Sequence, residues 1–258
     1  MKLNINFLNP DDKLLFAKVL NRVSFCQKRH EAVFTDFFDP VRIEQFSQLV
    51  RKEFDVQQIA FGGYDGAERQ IIGFFPNTTE PQINAFPIEI LEINYNKKFS
   101  KNLTHRDYLG SVLGLGIERF KIGDILLNEN STVVFVHKDI SSYILHNLEK
   151  VGNTKVSIQI RETTEPFQAD TDEKQMNIIT ASLRLDSMIS SIFRISRGKA
   201  SDLIKAEKVF VNWKTFSSVS KNISIGDIIV LRGHGRAKIN EITSKTKKDR
   251  LVINVTIW

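Results

Sequence analysis

Residues 195–214 read ISRGKASDLIKAEKVFVNWK. The spacing predicts a short helix running into a hairpin. Ser196 is the N-cap, Ala200, Leu203 and Ile204 form the apolar side, and the strand-forming run KVFVNWK follows. The start of this helix is unusual. Arg197 and Lys199 sit in its first turn, where the backbone already carries partial positive charge and each base costs a few tenths of a kcal/mol. Unpaired N–H groups at a helix start form an anion site, so two cations there become favourable once a phosphate arrives. Arg197, Ser201, Lys205 and Lys208 follow at i, i+4, i+8 and i+11, a single solvent-facing stripe.

The flanking sequence completes a small domain. LRLDSMISSIFRIS, residues 183–196, is a predicted helix with Leu185, Met188, Ile189 and Ile192 inward. Strands are predicted at GDIIVLRG, RAKINEI and LVINVTIW. Residues 181–258 carry 15 Lys+Arg against 6 Asp+Glu, which is +9; the whole chain is +6, so the other 180 residues sum to −3. A basic end on a mildly acidic body suggests a polyanion partner, and nucleic-acid backbone is the obvious source.

Upstream, residues 1–55 read mainly as helices. DDKLLFAKVLNRVSFCQKR places Leu14, Leu15, Val19, Leu20 and Val23 at helical spacing, and Asp39-Pro40 opens a second helix. QIAFGGYDGAERQIIGFFP reads as a hairpin turning at Asp65-Gly66. Residues 80–160 show the order βαββαβ, that of a ferredoxin-like sheet. In it Thr104 and Asp107 cap the first helix, Gly110 and Gly114 mark tight packing, the strand pair turns near Glu129-Asn130, and Gly152 ends the second helix. Residues 161–180 are polar, acidic and poor in period, and read as a linker whose end is open to being ordered. The expected organisation is therefore α+β, with an N-terminal α/β domain (1–78), a ferredoxin-like middle domain (79–162), a linker (163–180) and a C-terminal domain (181–258).

Several chemistries find no support. Cys26 is the single cysteine, which rules out an intrachain disulfide and fits a buried residue in a reducing cytoplasm. The chain lacks an 18-residue apolar run and a signal-peptide pattern. His30, His137, His146 and His234 lack metal spacing. GLGIER at 114–119 lacks the third glycine of a dinucleotide loop and falls at a helix end. Asp186 reads as a helix-start acid rather than a catalytic one. His105, Arg106 and Asp107 read as cap and contact residues rather than an acid–base site. Phe135 alternates with aliphatics and reads as core, so the middle domain's own RNA contacts would come from edges such as Arg119, Lys121 and Lys97-Lys98.

RLDSMIS, ISRGKASDLIKAEKVFVNWK and ISIGDIIVLRG together resemble the RNA-binding domain first described in small-subunit ribosomal protein four. The match covers roughly residues 182–240. It implies an αL-type small RNA-binding domain whose contact positions are Arg184, Ser196, Arg197, Lys199, Lys205, Lys208, Asn212 and Lys214. Arg232 and Arg236 join this set from the charge pattern. The family usually has Asn-Gly-Lys at the hairpin turn, where this chain has Asn212-Trp213-Lys214. Trp tolerates the positive φ of a tight turn poorly, so a wider turn is expected, with Trp213 either packed inward or stacked on a base.

FTDFFDP, GGYDGAERQIIGFFP, LTHRDYLGSVLGLGIERFKIGDI and RGHGRAKI extend a resemblance to the YlmH family over essentially the whole chain. It implies a cytoplasmic, monomeric RNA-binding protein without enzymatic activity, cofactor or metal. It would bind ribosomal RNA of the large subunit, with tRNA as a second ligand, in ribosome-associated quality control. An RNA-modifying enzyme and an adaptor of the cell-division machinery stand as the alternative classes.

Overall fold

A computed structural model describes residues 5, 8–96, 103–128, 131–161, 174–212, 214–231 and 233–257, with the backbone alone at 214 and 215. The chain divides into two compact units, Met1–Ala169 and Asp170–Trp258. Its mixed content of helices and antiparallel sheets makes it α+β.

The first unit runs α1 (Pro10–Arg29), β1 (Val33–Phe38), α2 (Pro40–Glu53), β2 (Gln57–Phe61), β3 (Gln70–Phe75), β4 (Ile88–Asn94), α3 (His105–Gly114), β5 (Ile122–Leu127), β6 (Thr132–His137), α4 (Lys138–Asn147), β7 (Lys150–Val151), β8 (Thr154–Lys155) and β9 (Ser157–Ile160). Asn9 and Asp39 cap α1 and α2, each followed by proline, whose fixed φ suits a helix start. Strands β1, β3 and β2 form one antiparallel sheet in that order, and β5, β6, β4 and β9 form another. Strand β1 departs from the expectation of helices over 1–55. Its run VFTDFF lacks clean alternation because the register slips between Phe34 and Phe37.

The two sheets of this unit share a core. Along β6, Val134 and Val136 pack under the helices with Leu91, Ile93, Tyr108, Val112 and Ile144. Val133 and Phe135 point the other way and, with Ile90 of β4, join Phe37, Tyr64, Ile71, Phe75 and Phe86 from the first sheet and the loops beside it. Successive side chains of a strand leave on opposite faces, so β6 is buried on both. Phe135 is fully buried, with its ring 4.9 Å from that of Tyr64. Two glycines make this approach feasible. A Cβ on Gly63, at φ +102°, would lie 2.4 Å from Phe135, and one on Gly123 would lie 2.7 Å from Phe37.

A bulge in β5 between Ile122 and Ile125 re-aims Asp124 at the loop before β3. Its carboxylate accepts the Tyr64 hydroxyl at 2.8 Å and the N–H groups of Glu68 and Arg69 at 2.7 and 3.0 Å. The Arg69 guanidinium donates to the carbonyls of Ile122 and Phe37 at 2.9 and 3.0 Å. Burial and the neighbouring Arg119 push its pKa down to about 10. These bonds hold the loop against the second sheet.

Local expectations changed in several places. The buried stripe of α1 is Phe16, Val19, Val23 and Cys26, while Leu14 is 69% exposed. Gly110 and Gly114 have open space where a Cβ would stand, so neither marks close packing. Helix α4 ends at Asn147, and Gly152, at φ +56°, turns the β7–β8 hairpin instead of ending the helix. Thr104 and Asp107 do form the expected cap, with the Asp107 carboxylate accepting the Thr104 N–H and hydroxyl at 2.7 Å each. Lys97-Lys98 and Glu129-Asn130 lie outside the described residues.

The second unit runs β10 (Lys174–Thr180), α5 (Leu185–Phe193), α6 (Arg197–Lys205), β11 (Val209–Val211), β12 (Lys214–Thr215), β13 (Ile228–Leu231), β14 (Gly235–Lys245) and β15 (Leu251–Ile257). Its sheet has the order β10-β15-β14-β13-β11-β12. Strand β10 corrects the linker of 163–180. Residues 174–180 pair in full register with β15, burying Ile178 and Thr180; the alternation is hidden because Gln175, Asn177 and Ile179 face outward. Helices α5 and α6 pack Leu185, Met188, Ile189, Ile192, Ala200 and Ile204 onto the inner face, against Val209, Ile229, Ile239, Ile253 and Val255.

Replacing Phe135 with Ala is expected to cost about 3–5 kcal/mol, the range for emptying a fully packed aromatic site. Chemical denaturation checks this; a change below about 1 kcal/mol, as for a solvent-facing stacking ring, would contradict the shared core.

Candidate nucleic-acid interface

Of the basic candidates of the second unit, Arg184 and Arg197 meet on Asp186, and Lys199 shares the first turn of α6 with Arg197. Arg184 is the N-cap of α5. The first α5 N–H groups are already taken: Leu185 donates to the Lys221 carbonyl at 2.8 Å and Asp186 to that of Val219 at 3.2 Å. Arg194 then closes α5 in a left-handed conformation, φ +52°, and brings the chain directly into α6. Ser196 caps α6, its hydroxyl accepting the Lys199 N–H at 3.2 Å. Arg197, Lys199 and Lys205 are exposed along α6, and Lys208 is exposed just beyond it.

Asp186 accounts for the cation at the start of α6. Its carboxylate accepts Arg197 Nη2 at 2.7 Å and Arg184 Nε at 3.1 Å, with Arg184 Nη2 at 3.3 Å. The acid's side chain is 9% exposed, against 42% for Arg184 and 55% for Arg197. Burial by itself raises the Asp186 pKa, but the hydrogen bonds and charges of Arg184 and Arg197 outweigh it and hold the carboxyl below its ordinary range. Arg197 at the helix start is therefore not an isolated cation: the Asp186 carboxylate offsets its repulsion by the helix before any external anion arrives. Among the described residues, Lys199 forms no such ion pair.

The hairpin candidates divide. Asn212 takes the left-handed conformation, φ +47°, that a glycine would otherwise supply. Its amide is committed internally, donating to Asp227 at 2.7 Å and accepting the Ile228 N–H at 2.9 Å. The register Val211↔Lys214 makes the loop two residues long, so the turn is tight and not widened. Lys214 begins β12, and Arg236 stands on β14 opposite Val230. Trp213 and Arg232 lie outside the described residues.

Sequence reasoning passed over Arg194 and Lys221. Arg194 carries no motif signal, and only its backbone conformation turns it into the corner between the helices. Lys221 Nζ lies 3.3 Å from the Phe216 ring centroid, a contact between residues five apart in a loop without period. The outer face of the sheet carries a different surface, a ladder of amides. Asn240 Nδ2 donates to Asn254 at 2.7 Å, and Asn254 Nδ2 to Asn177 at 3.1 Å.

In the first unit, the motif THRDYLG supplies the α3 cap described above, with Arg106 exposed beside it. The His105 pKa is lowered by burial and by Arg119, despite Asp124. Arg119 donates to the carbonyl of Ile122 at 2.5 Å, and Lys121 bridges Asp36 and Asp139 at 2.8 and 2.7 Å. Both bases expected at the sheet edge thus hold the fold together. Among the described residues, no three His, Cys, Asp or Glu side chains could hold a metal ion, and no helix is long and apolar enough to cross a membrane. Cys26 is buried, its thiol 3.6 Å from the Phe74 carbonyl and pushed up in pKa by burial.

Comparison with known proteins matches two family models to the first unit. Residues 12–78 match a family described as "YlmH, N-terminal", and residues 81–165 match "Putative RNA-binding domain in YlmH". The chain is 31% identical over 240 residues to the Ribosome-associated protein quality control protein P2 of Bacillus subtilis (strain 168), covering 93% of each chain. It also resembles the solved structure of the cell division protein ylmH from Streptococcus pneumoniae, with 25% identity and a TM-score of 0.50, over 60% of this chain and 93% of that one.

Arg197→Glu would set a second carboxylate against that of Asp186 and is expected to lower the melting temperature. Lys199→Glu, favourable to the helix start, should leave it unchanged or slightly higher. Because the folded pKa of Asp186 is depressed, its contribution is fully present above the unfolded value of about 3.9 and is lost as pH falls through the folded value. The stability gap between wild type and Asp186→Asn should therefore be full at neutral pH and narrow below about pH 4. Thermal denaturation of the three variants across pH checks both; equal melting points for the two Glu variants would contradict the assignment.

Proposed function

The chain belongs to the YlmH family, and from that premise we propose that it is a non-enzymatic RNA-binding protein of ribosome-associated quality control. It grips ribosomal RNA of the large subunit through the α5–α6 corner and the adjoining hairpin, and peptidyl-tRNA is the second RNA within reach. The relative named for quality control covers nearly the full length of both chains, which supports the pathway. The observation that carries the RNA reading is the charge split: +9 over residues 181–258 against −3 over the rest.

The fold of the second unit supports an assignment to the type first described in small-subunit ribosomal protein four. Two short helices meet at a corner, and the second, which begins with Ser196, Arg197 and Lys199, is followed by a two-residue hairpin. Arg184, Arg197, Lys199, Lys205 and Lys208 form the phosphate-contacting set in this reading, with Lys214, Arg232 and Arg236 flanking. Ser196 and Asn212 shape the surface through a cap and a turn. The antiparallel order β5-β6-β4-β9 supports the ferredoxin-like reading of residues 79–162. In that arrangement the face carrying Val133 and Phe135 is occupied by the first sheet, so RNA contact by this domain falls to its helices and loops.

The likeness to the cell division protein ylmH of Streptococcus pneumoniae favours a second reading, an adaptor that binds protein through the first unit. Salt separates the two. With five to eight phosphate contacts, affinity for large ribosomal subunits should fall roughly 10²- to 10⁴-fold over a fourfold rise in salt. Replacing Lys199, Lys205 and Lys208 together with Glu should abolish most of the binding. A nearly flat salt dependence, or undiminished binding by the triple variant, would favour the adaptor.

A further inference from the structure

We propose that Asp186 is a positioning residue for RNA, an internal carboxylate that holds Arg184 and Arg197 as a two-pronged phosphate fork. The inference rests on the RNA-binding reading above and deepens it. Three chain segments converge on this one side chain. Arg184 comes from the α5 cap, Arg197 from the first turn of α6, and the Ser187 N–H donates to Asp186 Oδ1 at 2.9 Å from within α5. The backbone N–H of Asp186 is itself tied to the Val219 carbonyl. The acid is therefore a fixed point, anchored from the protein side and almost fully covered.

The two arginines differ from it in exposure. Each covers the carboxylate with part of its guanidinium and turns the remainder to solvent. A guanidinium has five N–H donors; Arg184 spends two of them on Asp186 and Arg197 spends one, which leaves donors on both for an incoming phosphate. A long cationic chain without an anchor samples many rotamers and loses them on binding. Asp186 has removed part of that loss before RNA arrives. The fork also ties the N-termini of α5 and α6 together, so both prongs keep a fixed separation.

A helix-start acid would satisfy the α5 dipole without any arginine, and a competing acid would merely mask the basic face. These roles make different predictions. Full-length Asp186→Asn is measured against wild type for binding to purified large ribosomal subunits over a salt series, well below both melting temperatures. Net charge alone predicts tighter binding, because the variant is one unit more positive. Positioning predicts the opposite sign: affinity roughly tenfold weaker, the size of one well-placed charged hydrogen bond, with a shallower salt dependence. In an Arg184→Gln/Arg197→Gln background, Asp186→Asn should have no further effect. Tighter binding by Asp186→Asn would overturn the proposal, as would an equal loss in the background without the arginines, which would assign Asp186 to fold stability. Failure of the wild-type protein to bind the particles would instead remove the RNA reading on which the proposal stands.

Discussion

The packing of Phe135 against Tyr64 and Phe37 is the contact on which the reading of the whole chain turns. It spends the second face of the four-stranded sheet on the protein's own core. Burying an aromatic side chain of this size is among the larger single contributions a fold can make. It is possible here only because Gly63 and Gly123 bring backbone to within contact distance of the rings. A sheet covered on both faces has no stacking platform left to offer a base. The consequence is a division of labour. In the first unit, Arg69, Arg119 and Lys121 bond carbonyls and carboxylates of their own chain. The second unit keeps Lys199, Lys205 and Lys208 exposed.

That division agrees with the electrostatics. A mildly acidic unit joined to a strongly basic one orients the chain in the field of a polyanion before any contact forms. Within the basic unit the charges are not simply scattered over the surface. Asp186 gathers two of them at one point, and Arg194 adds a third at the corner where the helices meet. Among the described residues Lys199, Lys205 and Lys208 have no such anchoring ion pair, and they are exposed to supply the diffuse attraction.

Much of this was visible in the sequence, and the exceptions have physical reasons. The helices at 185–193 and 197–205 and the strands after them follow from apolar period and caps. Phe135 was placed correctly in the core because it alternates with aliphatics. Strand Val33–Phe38 was hidden by a bulge that breaks its alternation, and Lys174–Thr180 by an outward face of Gln175, Asn177 and Ile179 in a polar, acidic neighbourhood. The candidate site shows the same limit. Residue type and spacing marked Arg184, Arg197 and Asp186 separately, yet no periodicity links an N-cap of one helix to the first turn of the next. Their meeting at Asp186 is a tertiary fact, as is the commitment of the Asn212 amide to Asp227.

The central claim is that RNA meets the α5–α6 corner and never the covered sheet. Photo-crosslinking of the full-length protein to purified large ribosomal subunits, with crosslinked peptides identified by mass spectrometry, tests it most directly. The account predicts crosslinks concentrated between Arg184 and Lys208. Crosslinks at Val133 or Phe135, in protein that retains its native melting temperature, would contradict it.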